Sequence, residues 1–238
     1  MTPRTRARTR RAAAGLMALA AVGAFTLSGC DPRALAYFLS NGPEIAAPGP
    51  SLKGKRVVFV TAAVPAAQAG YQAIDRELNR EVIKILREKA KKVEIVDPEK
   101  VGAWVEAHPT WTDQGELARA FEADMVVFFE VQGFSIEDNR SPGLLEGNAE
   151  VSIRVTELAH PKNTKGKVNS SAPKEATEIY NQDWKTTFPK TAPLSVDSGV
   201  SRSVFKSKFL RLVASELSWQ FVGHDHGDDI QDTRSFGR

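Results

Sequence analysis

Five residues, Met125 to Phe129, read "MVVFF" without a polar break. A short apolar run rich in β-branched and aromatic residues suits a strand, and this one keeps no polar side for water. Such a strand lies centrally in a sheet that is covered on both faces. Other segments supply the cover. In "YQAIDRELNREVIKILREKAKK", Tyr71, Ile74, Leu78, Val82 and Ile85 recur at helical spacing. Arg76, Glu77, Arg80, Glu81, Lys84 and Glu88 take the opposite, solvated side. "KRVVFV" from Lys55 and "KVEIV" from Lys92 are two further short strands. Asp97 caps a helix with Pro98 at its first position, "DPEKVGAWVEA". "TDQGELARAFEA" repeats the start signal, with Asp113 as cap and Glu116 three residues later.

Beyond the central run the period changes to two. Ala149, Val151, Ile153 and Val155 share one side of "NAEVSIRVTEL", and Glu150, Ser152, Arg154 and Thr156 share the other. That is a half-exposed antiparallel strand. "EIYNQDWKTTF" alternates again, with Tyr180, Trp184, Thr186 and Phe188 on one side, after a polar loop over 161–176. A final helix carries Phe205, Phe209, Leu210, Leu212, Val213, Leu217 and Phe221. The expected fold is α/β with a three-layer-like mixed sheet. A parallel βαβαβ half, built with right-handed crossovers, is continued by an antiparallel meander and closed by a C-terminal helix.

The chain opens with five arginines before any acidic residue, and Ala12 to Thr26 follow as 15 uncharged, mostly apolar residues. A spanning helix needs about 20. A basic start, a short apolar stretch and small residues before a cut site make a secretion signal. Leu27-Ser28-Gly29-Cys30 resembles the lipobox of bacterial lipoproteins, and Cys30 is the only cysteine. The resemblance implies a diacylglycerol on the Cys30 thiol, cleavage before it, and an anchor of two or more acyl chains in a bilayer. Asp31 follows, which in enterobacterial lipoproteins favours the inner membrane. With the signal gone, 27 basic residues face 29 acidic ones, so the net charge of +3 is an export feature and nucleic acid is set aside. A lone cysteine leaves no intramolecular disulfide.

The organisation expected is a signal peptide over 1–29, a lipidated cysteine and Pro/Gly-rich tether over 30–54, one α/β domain over 55–222, and a polar tail over 223–238. "ALAYFLS", just behind the cysteine, is a more apolar part of the tether. The strand and helix order, with Ala123-Asp124-Met125-Val126-Val127 entering the central strand, resembles a group of envelope lipoproteins. The group includes the penicillin-binding-protein activators and the curli-secretion lipoprotein. The resemblance spans about Lys55 to Val222 and implies architecture; it transfers no functional residue. The polar, lysine-rich 163–178 region lacks the clean alternation of membrane barrel strands.

Signatures for phosphate loops, dinucleotide folds and serine hydrolases are missing. The densest polar cluster is His224, Asp225, His226, Asp228 and Asp229, of which His224, His226 and Asp228 suit a divalent metal. Its plain alternative is a solvated acidic tail, or a tail docked behind Phe221 and Val222. Glu130, at the end of the central run, is a carboxylate where α/β sheets place ligands, or else half of an ion pair. Asp124, Glu137 and Asp138 read as strand-start and turn residues. His108 lies in a loop. Trp104 and Trp111 are loop anchors or a partner patch, and Trp184 and Trp219 are packing residues. The leading expectation is a non-enzymatic, cofactor-free module that binds another envelope protein. The alternatives are a metal-binding envelope protein or enzyme using the tail, and an oligomeric secretion component.

Overall fold

The computed structural model describes residues 44–137, 141, 143–161, 166, 168–225 and 227–228. The chain divides into Met1–Glu44 and Ile45–Arg238, and the second unit carries the fold. Leu27, Ser28, Gly29, Cys30, "ALAYFLS", Asp138, His226 and Asp229 lie outside the described residues.

The strands are β1 (Arg56–Ala63), β2 (Glu94–Ile95), β3 (Met125–Glu137), β4 (Leu144–Ala159), β5 (Glu175–Phe188) and β6 (Leu194–Ser195). The α-helices are α1 (Pro65–Gln68), α2 (Ile74–Lys89), α3 (Pro98–Ala107), α4 (Gln114–Ala120) and α5 (Arg202–Ser218). They build the mixed α/β sheet anticipated above, in the order β2-β1-β3-β4-β5, with β6 beside the start of β4. β1 runs parallel to β2 and β3, whereas β3, β4 and β5 form the antiparallel meander.

The central run behaves as its composition demands. Val127 and Phe129 point to one side and join Val57, Phe59, Val151, Ile153 and Val155 under α2 and α5. Val126 and Phe128 point to the other and meet Val58, Val101 and Leu117 under α3 and α4. Each such buried side chain contributes about 1.5–3 kcal/mol through removal from water. The amphipathic stripe of α2 buries Ile74, Leu78, Val82, Ile83 and Leu86. Tyr71 precedes that helix and meets Phe134 edge-on at 5.1 Å.

Asp97 and Asp113 cap their helices as expected. Asp97 accepts the Glu99 N–H at 3.0 Å, and Asp113 accepts the Gly115 N–H at 2.7 Å. Ser201 caps α5 through the Val204 N–H at 3.3 Å. Asp124 aligns the parallel pair: its carboxylate accepts the Arg56 N–H at 2.9 Å. Thr156, a buried hydroxyl, donates to Gln114 Oε1 at 2.7 Å and so ties α4 to β4.

Residues 45–54 differ from the tether read in the sequence. Leu52 is buried in the main core. Ile45 exchanges two main-chain hydrogen bonds with His224, at 2.8 and 3.2 Å, and the Gly49 N–H donates to Gln220 O at 2.8 Å. Composition hides this because the contacts are made through backbone, which a proline- and glycine-rich stretch supplies as well as any other. A Cβ on Gly49 would stand 2.4 Å from Gln220 O. Gly49→Ala is therefore expected to destabilise the protein by about 1–3 kcal/mol, as overpacking does. Amide exchange should rise first at Ile45 and His224. Unchanged exchange there would show that the two segments do not depend on the close approach.

Candidate functional site

The entering segment 45–48, the C-terminal half of β5 and the chain leaving α5 border an open, shallow cleft of about 640 Å³. Its lining combines Trp184, Trp219 and His224 with Lys185, Lys190, Glu216, Gln220, Thr186 and Thr187. Ile45, Ala46 and Pro48 complete the wall. That volume lies in the range of small-molecule and peptide-side-chain sites, which join apolar walls to a few polar groups.

Local structure fixes each part. Trp184 takes the helix-side position of the β5 alternation, opposite Val151. Trp219 caps α5 and is nearly buried. The His224 ring lies flat on it, with centroids 4.2 Å apart and planes at 10°. Glu216 comes from the last turn of α5, is buried, and pairs with Lys190 at 3.6 Å. Tyr180 donates to Gln220 Oε1 at 3.0 Å, and burial pushes its hydroxyl above the ordinary tyrosine value. On the rim, Lys185 sits 2.7 Å from Glu150. The hydrogen bond to that carboxylate holds the ammonium above the usual lysine range. The cleft thus offers indole faces, a lysine-carboxylate pair and hydrogen-bonding side chains.

The structure uses some sequence candidates elsewhere. Asp228 pairs with Lys89 at 3.5 Å, and Asp225 is exposed. Among the described residues no three His, Cys, Asp or Glu side chains gather as a metal site. Glu130 pairs with Ala62 at the end of the parallel ladder. Its carboxylate meets Arg154 at 3.5 Å and accepts from Gln132 Nε2 at 2.8 Å, the ion-pair alternative. Glu137 pairs with Arg202 at the start of α5. Asp124 meets Lys174 at 3.8 Å in addition to its strand contact.

Trp104, His108 and Trp111 form an aromatic ladder. His108 stacks on Trp104 at 4.2 Å, Trp111 meets Trp104 at 5.9 Å, and Phe128 continues the row at 6.0 Å. The Arg154 guanidinium lies 4.9 Å from the Phe128 centroid. This ladder anchors the loop between α3 and α4 to the sheet.

Sequence reading singled out Trp184, Trp219 and His224 separately and did not join them. It missed Glu216, Lys190, Gln220 and the entering segment. One signal was present: Glu216 follows Phe209 by seven and Leu212 by four, which puts a carboxylate on the apolar stripe of a helix.

No protein-family model matches the chain, and no curated protein matches it. Several solved structures do. A hypothetical protein, CT253 from Chlamydia trachomatis, is 17% identical, with a TM-score of 0.39 over 70% of this chain and 96% of that one. A PelC dodecamer from Paraburkholderia phytofirmans is 15% identical, with a TM-score of 0.40 over 76% and 96%. Lipoprotein GNA1162 from Neisseria meningitidis is 11% identical, with a TM-score of 0.40 over 71% and 99%. At these identities and scores the similarities carry no argument about what this chain does.

Proposed function

We propose that the chain is a lipid-anchored protein of the bacterial envelope, held in a membrane through acylated Cys30. Its α/β domain binds another envelope protein without catalysing a reaction. The observation that carries this reading is the opening of the sequence. A basic start, an apolar stretch too short to span, and Leu27-Ser28-Gly29-Cys30 stand together before the only thiol. The cleft beside Trp184 and Trp219 supports the binding role, because its lining joins indole faces to a lysine-carboxylate pair and hydrogen-bonding side chains. Anchoring confines both partners to one surface, so a modest affinity suffices.

Cell fractionation with labelled palmitate tests the anchor. The unaltered chain is expected in the membrane fraction with label, and Cys30→Ala in the soluble fraction without it. Label that survives Cys30→Ala overturns the anchor. The binding role is tested with a photo-crosslinking residue at Ala46, exposed on the wall of the cleft and away from β5. One dominant envelope partner is expected. Turnover of a substrate by the purified chain, abolished by one polar substitution, would replace the binding role with an enzyme.

A further inference from the structure

We infer that the outer edge of β5 pairs antiparallel with β5 of a second copy of this chain, about a two-fold axis at Trp184. β5 ends the sheet order, and among the described residues its ladder is with β4 alone. A strand so placed presents unpaired backbone donors and acceptors along its free edge. The register with β4 is unbroken from Tyr180 to Phe188. It is bounded by the irregularity at Ile179 and by Pro189, which has no N–H to give. Trp184 is the midpoint of those nine residues.

The sequence about that midpoint is complementary to itself. With the axis at Trp184, Asp183 stands opposite Lys185 of the second copy and Lys185 opposite its Asp183. Asn181 faces Thr187, and Tyr180 faces Phe188. Opposite charges, polar pairs and aromatic pairs across a ladder all favour pairing. Moving the axis one residue either way sets Asp183 on Asp183 or Lys185 on Lys185. Like charges directly opposite oppose pairing, and a shift of two residues loses the Asp183–Lys185 contacts and shortens the regular ladder, so the axis at Trp184 is favoured. Lys185 already pairs with Glu150 on the neighbouring strand. The outer face would therefore read Glu150, Lys185, then Asp183 of the second copy, with charge alternating from strand to strand. An isologous contact of this kind closes on itself as a dimer. It sets the two clefts side by side, since Trp184 lines each.

The test uses the full-length protein in detergent. Light scattering should return two polypeptides per particle. Differently tagged Asp183→Cys and Lys185→Cys chains, mixed and mildly oxidised, should form a disulfide joining positions 183 and 185, because directly opposite residues lie within disulfide reach. Peptide mass identifies that link beside native Cys30. Asp183→Cys mixed with itself should not link. Asp183→Lys, an exposed change, should weaken the dimer about tenfold by placing lysine against lysine. A monomer at every concentration, a dimer unmoved by Asp183→Lys, or equal linkage at mismatched positions overturns the inference. A monomer whose position-183 cysteine is captured in cells by another protein also overturns it, in favour of a strand from that protein.

Discussion

Phe209→Ala is expected to lower the free energy of unfolding by about 3–5 kcal/mol. The ring is fully buried. It stacks on Phe134 at 5.2 Å and lies nearly parallel to Phe188 at 6.2 Å. It also covers Gly147 so closely that a Cβ there would stand 2.6 Å from it. Alanine leaves a void between α5 and the meander, which neighbours held by the β3–β4–β5 ladders cannot fill. The urea midpoint should fall with little change in slope. Gly147→Ala in the unaltered chain should itself cost about 1–3 kcal/mol through overpacking. With Phe209→Ala already present, the methyl enters vacated space and the added cost should be small. That non-additivity is what contact predicts. Additive losses would show that ring and glycine do not constrain each other.

Phe221→Ala should cost about 3 kcal/mol or more, since a buried phenylalanine is again removed. Its ring meets Phe59 at 6.5 Å and Phe129 at 6.3 Å, both edge-on. It therefore pins the segment after α5 to the two central strands. That segment carries Trp219, Gln220 and His224, and pairs with Ile45 and Gly49. The loss should be uneven. Exchange at the Ile45 and His224 amides should accelerate more than exchange in the β3–β4 ladder, because local opening now lies below global unfolding. Binding in the cleft should weaken with it. Equal acceleration everywhere would mean that Phe221 supports the core generally and leaves the cleft wall alone.

Much of this architecture was legible because burial imposes periods. "MVVFF" has no polar side and lies between two helical layers. "AEVSIRV" alternates and has one wet face. Asp97 with Pro98, and Asp113, mark helix starts through hydrogen bonds that form within a few residues. What stayed hidden depends on distant backbone. No side-chain pattern announces that Ile45 and Gly49 meet His224 and Gln220, and β6 is too short for a period. The cleft joins three segments far apart in sequence, so its parts were visible and its existence was not. Trp184 and Trp219 read as packing residues, and the structure has them pack and line the cleft at once. The tail also divided: His224 is docked on Trp219, whereas His226 and Asp229 lie outside the described residues.

The helix that covers β4 is the last among the described residues. Val151, Ile153 and Val155 are made some fifty residues before α5, and their apolar faces share one core with Phe205, Phe209 and Val213. β1 likewise waits for β3, its parallel neighbour, across the whole α1–α4 stretch. A growing chain therefore cannot finish this domain piece by piece. Local hairpins of the meander can form early, but their sticky side stays bare until α5 has been made. A truncation anywhere before Ser201 is therefore expected to leave that apolar face uncovered and to yield an aggregation-prone fragment instead of a smaller working domain.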